Sequence, residues 1–279
     1  MADNTTYILP RDAPEEERLN FQHALLTKTF GGLYRAPLDP SHVRRVLDIG
    51  CGTGNWAIDY AKQNPNAQVI GFDVTGSPEW NTAPPNCTLI EANGEDDSAW
   101  VSFGDKFDYI HARLIVVSIR NWPSLFEKIS NHLTSGGWCE IQDLQFPTHC
   151  LNGSTSAESK VVAWGHLMSS GMRKFGLDPN AINHFPQQMQ HVGLVNAKTD
   201  EFKMMSGPWA DTEHDRELGQ MGNKNFHMGF RGFTTTVMKG AHGFSDEQVE
   251  DQVRGVLEEI DTLKFRTYVP LKVVYAQKS

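Results

Sequence analysis

Short apolar runs alternate with longer segments of helical periodicity along the first half of the chain. The short runs are rich in Val, Ile and Phe, which is typical of buried strands, whereas apolar residues at every third or fourth position are typical of amphipathic helices. Strands that alternate with helices predict a doubly wound, mostly parallel sheet with right-handed crossovers. The predicted strands are Arg44–Ile49, Gln68–Asp73, Cys87–Glu91, Phe107–Ala112 and Trp138–Leu144, and the predicted helices are Glu15–Thr29, Trp56–Lys62 and Trp122–Leu133.

The second half of the sequence is less regular. Between positions 204 and 232 it is rich in Met and Gly, and no element is predicted there. We expect one α/β domain over residues 41–279, with seven strands and helical cap insertions, preceded by an N-terminal lid segment over residues 1–40. The remaining predicted helices are Ser156–Lys174, Asn180–His191 and Asp246–Ile260, and the remaining strands are Leu194–Met204 and Tyr268–Ala276.

Composition and charge narrow the classes of function. The 279 residues carry a formal net charge of −9 and no cluster of Lys and Arg, so we expect no nucleic-acid partner. No apolar run approaches the roughly 20 residues of a membrane span, and the polar start does not resemble a secretory signal. We therefore expect no membrane partner and a cytoplasmic location, with the nucleus as the alternative. The four cysteines form no CxxC pair, and no metal site is predicted.

A glycine-rich turn follows the first predicted strand. Glycines at positions 50, 52 and 54 let the backbone turn sharply and let a ligand approach the main chain. A dinucleotide fingerprint would need a further glycine at position 55, which is Asn55, and a P-loop would need a GK[ST] triplet that the turn lacks. Asp48, two residues before the first glycine, would repel a pyrophosphate but suits the ammonium and sulfonium groups of S-adenosylmethionine (SAM). The turn therefore favours SAM over NAD.

Acidic and amide side chains follow the second and third predicted strands. Asp73 ends the second strand and can accept both hydroxyls of a ribose, a device that NAD sites share. After the third strand, Asn93 and Gly94 could supply an acceptor and a backbone N–H for adenine, with Glu95 nearby. A solvated acidic loop is the alternative interpretation of this segment.

Several separate segments together resemble one family. The runs LDIGCGTGNWAIDYA at 47–61, PPN at 84–86, FDYIHAR at 107–113 and GGWCEIQD at 136–143 are similar to the fungal secondary-metabolism methyltransferases related to the regulator LaeA. Similarity extends to the segments at 7–12 and 17–23, to GPW at 207–209 and to the closing TYVPLKVVYAQK, so it spans nearly the whole chain. The family usually has Thr, Ile and an Asp-Asp pair at the positions of Cys51, Asn55 and Ala92-Asn93.

The resemblance implies a Rossmann-like class I methyltransferase fold with SAM as cofactor. Tyr7 and Arg18 would close over the cofactor from the N-terminal segment, and the segment His111–Arg113 would lie against its methionine part. The full set of residues that the resemblance and the motifs assign to the cofactor is Tyr7, Arg18, Asp48, Gly50, Cys51, Gly52, Gly54, Asp73, Val74, Asn93, Gly94, Glu95, His111, Ala112 and Arg113.

Candidate residues for the acceptor and for proton transfer are less specific. A general base is needed only where the acceptor must lose a proton, and histidine is the usual choice. No base is assigned, and His111 is the candidate because it lies at a strand end. The other histidines considered are His23, His166, His227 and His242. Soft and aromatic residues could line a pocket for a flat apolar acceptor, with ordinary core packing as the alternative; they are Met204, Met205, Trp209, Met221, Phe226, Met228, Phe230 and Phe233.

Three functions follow from these features. The first is an enzyme that methylates a small secondary metabolite at O, N, S or C. The second is a regulator of the LaeA kind that acts through protein partners. The third is a protein that keeps the SAM fold but catalyses another reaction, such as a cyclisation.

Overall fold

A single mixed sheet forms the centre of the computed structural model, which describes residues 13–151 and 158–279. Its strands are β1 Arg45–Ile49, β2 Gln68–Asp73, β3 Cys87–Glu91, β4 Phe107–Arg113, β5 Leu133–Leu144, β6 His149–Cys150, β7 Leu194–Met205 and β8 Thr267–Lys278. The order is β3-β2-β1-β4-β5-β8-β6, and β7 also pairs with β8. Strands β1 to β5 are parallel, whereas β8 is antiparallel to β5, β6 and β7.

Helices cover the sheet, and four of those described begin at side-chain caps. The Ser245 hydroxyl and the Gln248 side chain form a capping box at the start of α8, and Ser159 caps α5. No helix within the two described ranges is both long and apolar enough to cross a membrane. The helices are α1 Ala13–Phe30, α2 Asn55–Gln63, α3 Asp97–Val101, α4 Trp122–His132, α5 Lys160–Lys174, α6 Phe185–His191, α7 Glu213–His242 and α8 Asp246–Asp261, with 3₁₀ turns at Pro78–Thr82 and Ala181–His184.

The predicted doubly wound α/β fold is confirmed. The seven long strands match the seven predicted, and the two-residue β6 is additional. β5 begins at Leu133 rather than at Trp138, because Gly136, at φ +80°, is accommodated inside the strand where its register with β4 shifts. The helix predicted over Asn180–His191 is divided into a 3₁₀ turn and α6, since Pro186 lacks an N–H and fits the first turn of a new helix.

The 30-residue helix α7 is the main element that sequence reasoning missed. Its glycines lower helix propensity by about 1 kcal/mol each relative to alanine, which hides the helical pattern. In the fold these glycines are contact points. A Cβ at Gly219 would overlap the carbonyl of Gly207, and a Cβ at Gly222 would overlap the carbonyl of Met205. Close approach of α7 to the end of β7 therefore compensates for the lost propensity.

Substitution of Gly222 tests this explanation. We expect Gly222→Ala to lower the free energy of unfolding by about 1–3 kcal/mol, because the added methyl overlaps a backbone carbonyl that cannot move without shifting β7. Gly255→Ala in α8 is the matched control, since the added Cβ there meets only the flexible side chain of Lys160 and should gain up to about 1 kcal/mol from helix propensity. Urea denaturation measures both variants, and equal stability of the two would contradict the close-contact explanation.

Candidate functional site

A cavity of about 680 Å³ lies at the carboxyl ends of the parallel strands. Open α/β sheets place their ligands at this edge, beside the point where the strand order reverses, which here is between β1 and β4. Loops after β1 to β5 form one side of the cavity, and α1, α5 and α7 supply most of the rest of the wall, with single residues from β7 and β8. The volume falls in the range of about 300–1,000 Å³ that is usual for small-molecule sites.

Most of the residues expected to hold the cofactor are brought together in this cavity. Gly54, His111 and Ala112 lie outside its lining. Tyr7 lies outside the described residues, so its expected contact has no structural counterpart here. Across the described ranges, no group of three or more His, Cys, Asp or Glu could hold a metal ion. The expected residues that do line the cavity are Arg18, Asp48, Gly50, Cys51, Gly52, Asp73, Val74, Asn93, Gly94, Glu95 and Arg113.

The three glycines of the turn after β1 have different roles. All three have left-handed backbone conformations, with φ of +66°, +55° and +82°, which other residues adopt only with strain. A Cβ at Gly50 would lie 2.6 Å from Ile115 Cγ2, and one at Gly54 would lie 2.6 Å from Leu89 Cδ1, so both positions are closed by packing. At Gly52 the nearest atom would be 3.9 Å away. Gly52 therefore presents open main chain to the cavity.

Asp73 joins the glycine turn to the end of β2. Its Oδ2 accepts a hydrogen bond of 2.9 Å from the backbone N–H of Gly52, and the carbonyl of Gly52 accepts one of 3.0 Å from the Trp80 indole. Its Oδ1 accepts a longer bond of 3.4 Å from the backbone N–H of Thr75. The carboxylate is thus held beside the glycine turn, where it lines the cavity.

The segment after β3 is a bonded turn rather than a solvated acidic loop. Asn93 Oδ1 accepts a hydrogen bond of 3.0 Å from the backbone N–H of Glu95. Glu95 Oε1 in turn accepts bonds of 3.0 and 3.1 Å from the backbone N–H groups of Arg120 and Asn121. Glu95 therefore ties this turn to the loop after β4, and the turn still lines the cavity.

Asp48 and His111 form a buried hydrogen bond under the glycine turn. They are direct neighbours in β1 and β4, and Asp48 Oδ1 lies 2.8 Å from His111 Nδ1. The indole of Trp56 stacks on the imidazole with the ring centroids 3.7 Å apart. Both side chains are buried, and His111 lies outside the cavity lining. His111 can hold Asp48 in place, but it does not line the cavity, so the geometry does not support it as the catalytic residue.

Asp48 and Arg113 each retain an unsatisfied polar atom beside the cavity. Within residues 13–151 and 158–279, Asp48 Oδ2 and Arg113 Nη1 have no hydrogen-bond partner. Burial lowers the pKa of Arg113 to about 10, and the nearby charge of Asp48 opposes that shift. Buried polar groups of this kind are normally hydrogen-bonded. The two atoms, of opposite charge, are consistent with a ligand that has both an ammonium and a carboxylate.

His23 links α1 to both sides of this site. Arg113 Nη2 donates a bond of 2.8 Å to His23 Nδ1, and His23 Nε2 lies 3.0 Å from Asp59 Oδ2. Since arginine only donates, His23 is neutral with its proton on Nε2. Burial, together with the charge of Arg113, lowers the pKa of His23 to about 4. The lone pair on Nδ1 accepts the bond from Arg113, and the pKa of the ring is low, so His23 is a poor general base.

The other three histidines considered as bases lie outside the cavity lining. His166 and His227 are exposed, and His227 pairs with Asp261. His242 contacts the carbonyl of Leu167 at 3.0 Å. No histidine within the described parts of the chain is therefore placed to take a proton from an acceptor in this cavity.

Asp143, at the end of β5, is a lining residue that sequence reasoning missed. Its Oδ2 accepts bonds of 2.8 Å from the backbone N–H groups of Ile115 and Val116, and its Oδ1 accepts one of 2.8 Å from Leu144. Burial raises its pKa to about 7, although the three N–H bonds oppose the shift. Asp143 positions the loop after β4. Its place at the carboxyl end of a predicted parallel strand was the signal that could have identified it.

The far side of the cavity is aromatic. Of the soft and aromatic residues expected in a pocket, Met204, Phe226, Phe230 and Phe233 line the cavity, whereas Met205, Trp209, Met221 and Met228 do not. Sequence reasoning missed Phe146 and Trp164 on this side, because they come from distant segments, and it missed Asn225, which lies beside Phe226 in the chain but is polar.

Comparison with known proteins finds relatives over almost the whole chain. A family model described as "Methyltransferase domain" matches residues 1–199. "Methyltransferase pytC" of Aspergillus terreus is 30% identical over 276 residues, which covers 98% of this chain and 83% of that protein. "Secondary metabolism regulator LAE1" of Cochliobolus heterostrophus is 29% identical over 280 residues, which covers 98% and 90%. These findings confirm the family resemblance drawn from the sequence.

A solved structure shares the fold. Phosphoethanolamine N-methyltransferase 2 of Haemonchus contortus, in complex with S-adenosyl-L-methionine, matches with a TM-score of 0.51 at 16% identity. The match covers 94% of this chain and 52% of that one, so this chain spans about half the length of that enzyme.

The raised pKa of Asp143 predicts a pH dependence of stability. The unfolded chain releases this proton near the usual pKa of 3.8, whereas the folded chain holds it until about 7. Above pH 3.8 ionisation therefore favours the unfolded state, so this contribution to stability is lost as pH rises from 4 to 7, by on the order of 4 kcal/mol. The stability of wild type relative to Asp143→Asn should fall over this window in chemical denaturation.

Asp105→Asn is the control for this measurement, because the Asp105 side chain is 91% exposed. The lowered pKa of His23 makes stability fall as pH drops from 6.5 towards 4, but it does so equally in all three proteins and cancels in the differences. A wild-type stability relative to Asp143→Asn that stays constant or rises with pH would show that Asp143 is ionised in the fold.

Proposed function

The chain belongs to the methyltransferase-domain family, and from this premise we propose that it transfers a methyl group from SAM to a small-molecule acceptor. The observation that carries the proposal is the pair of unsatisfied atoms, Asp48 Oδ2 and Arg113 Nη1, beside a glycine turn in one cavity. The carboxylate suits the ammonium of the methionine part and the guanidinium suits its carboxylate. A carboxylate with one free oxygen at this place would repel the pyrophosphate of NAD.

The nucleoside part of SAM fits the other strand ends. Asp73 would accept the ribose hydroxyls, and its bond to Gly52 keeps the carboxylate beside the open main chain of the turn. The Asn93–Glu95 turn would supply the adenine contacts, with the neutral Asn93 in place of the family's acidic pair. Bound SAM supplies a methyl group on a sulfonium, which is activated for in-line displacement. The protein's part is to orient the reactants and to exclude water.

We propose further that residues 1–40 act as a lid on a methyltransferase domain formed by residues 41–279. Polar contacts hold the first half of α1 against the cofactor side of the cavity: Ser77 Oγ donates to Glu16 at 3.0 Å, and Asn55 donates to Asn20 at 2.6 Å. Apolar residues hold the second half, where Leu25, Leu26 and Phe30 are buried. Polar contacts with water-accessible partners break more easily than buried apolar packing, so the first half is the part that would open.

The ion pair of Arg18 with Glu15 supports the lid. Arg18 Nη2 lies 2.6 Å from Glu15 Oε1, and both residues line the cavity. The aliphatic stem of Arg18 crosses α7 at Gly229, where a Cβ would overlap it. At this point α1 therefore contacts α7, and both helices line the cavity.

A regulatory function is the second candidate, favoured by the 29% identity to a protein named as a secondary metabolism regulator. Incubation with radiolabelled SAM and a metabolite extract distinguishes the two. Label in small molecules supports the enzyme, whereas label confined to a co-purified protein, or none with SAM still bound, supports the regulator.

Two ligands separate the roles of the acidic residues. S-adenosylhomocysteine contains the amino-acid part, and 5′-methylthioadenosine lacks it. In calorimetry we expect Asp48→Asn to weaken S-adenosylhomocysteine about 10- to 100-fold without changing 5′-methylthioadenosine, because only the former has the ammonium. Asp73→Asn should weaken both ligands by a similar factor, since both contain the ribose.

The exposed Asp105→Asn provides the matched control and should bind both ligands as wild type does. Equal weakening of both ligands by Asp48→Asn would assign Asp48 a structural role only. Failure of the wild-type protein to bind either ligand would overturn the proposed function.

A further inference from the structure

We propose that the aromatic side of the cavity binds a neutral, planar aromatic acceptor that donates one hydrogen bond to the side chain of Asn225. This inference rests on the proposed function, in which the cofactor occupies the glycine-turn side. The aromatic chamber is defined by Phe146, Trp164, Met204, Phe226, Phe230 and Phe233, all of which line the cavity.

The rings of the aromatic chamber form one connected cluster around Trp164. The centroid of Trp164 lies 4.6 Å from that of Phe230, 6.1 Å from that of Phe146 and 6.5 Å from that of Phe233. These separations are typical of tilted and edge-to-face aromatic packing. The cluster draws its members from the loop after β5, from α5 and from α7. Three separate segments therefore converge on one apolar wall.

The rings of this wall are part of the hydrophobic core and also border the cavity. Protein interiors are close-packed, and groups that face a void lose dispersion contacts on that side. Phe146, Trp164 and Phe230 belong to the hydrophobic core and are at most 4% exposed, and each of them also borders the cavity. A flat apolar molecule in the cavity would add contacts on that side, and aromatic rings offer a large contact area to such a ligand.

Among the residues of α7 that line the cavity, Asn225 is the one with a polar side chain. It is 5% exposed and lines the cavity, and within the described ranges its Oδ1 has no hydrogen-bond partner. Its Nδ2 lies 3.8 Å from Met204 Sδ, which is a weak acceptor. By contrast, the indole N–H of Trp164 donates to Thr234 Oγ1 at 3.0 Å. An unsatisfied carbonyl in an apolar wall destabilises the protein unless a ligand donates to it.

The charges near the aromatic chamber favour a neutral acceptor. Arg18 and Glu15 make two hydrogen bonds to each other, of 2.6 and 2.7 Å, so the charge of each is offset by the other. The Asn225 carboxamide is itself neutral and accepts from a hydroxyl or an amine without requiring charge. A phenol or an aromatic amine combines the planar surface with one such donor.

Equilibrium dialysis with two matched probes tests the inference. The protein is first saturated with S-adenosylhomocysteine and then dialysed against 2-naphthol or 2-fluoronaphthalene, which have the same rings and substituents of similar size, but only the first has a donor. We expect wild type to bind 2-naphthol about tenfold more tightly, the effect of one hydrogen bond. In Asn225→Leu the ratio should fall to about one, and in Phe230→Ala both probes should bind at least tenfold more weakly.

Gln220→Leu is the matched control, because it replaces an exposed amide on the same helix and should keep the wild-type ratio. Unchanged affinity of the variants for S-adenosylhomocysteine shows that they fold. Equal binding of the two probes by wild type would overturn the role of Asn225, and binding of neither would overturn the aromatic acceptor. Failure to bind S-adenosylhomocysteine would instead count against the proposed function.

Discussion

A carboxylate buried at the end of a central strand needs a partner, and the hydrogen bond from His111 to Asp48 meets that need. Removal of a charge from water is costly unless hydrogen bonds replace its hydration. His111 occupies one oxygen of Asp48, and Trp56 fixes the imidazole from the helix that follows the glycine turn. The second oxygen is left beside the cavity. The bond thus links β1 to β4 and leaves a carboxylate oxygen at the point where the sheet order reverses.

Asp48, His111 and Glu140 lie side by side on β1, β4 and β5 and form a polar row across the sheet. This row reaches the connection between α1 and β1. Glu140 is the neighbour of His111 in β5, and its carboxylate accepts the backbone N–H groups of Arg35 and Ala36 at 2.6–3.1 Å. This connection carries the chain from α1 to the sheet, so its position depends on the row that holds Asp48. The connection and the glycine-turn side of the cavity are therefore built on one set of buried bonds, whereas the aromatic chamber is built from side chains of α5 and α7 together with Phe146 and Met204.

Sequence patterns predicted the features that depend on local chemistry. Strand periodicity, the glycine turn and the acids at strand ends are encoded by neighbouring residues, and the structure places Asp48 and Asp73 in one cavity. Features that depend on distant segments were missed or misjudged. α7 could not be predicted because its glycines make sense only beside Gly207 and Met205. His111 lies outside the lining because Trp56 covers it, a contact that no spacing reveals.

In α7, glycines make the close contacts with the backbone and side chains of neighbouring segments, whereas other positions of the helix line the cavity. The backbone is held by the close approach at Gly219, Gly222 and Gly229, which involves no side chain of the helix itself. The cavity-lining positions 226, 230 and 233 are not among these close backbone contacts. Exchange of one aromatic group for another there would reshape the pocket and leave the backbone contacts of the glycines in place. If the aromatic chamber binds the acceptor as proposed, such a helix lets acceptor preference diverge between relatives under separate selection from cofactor binding.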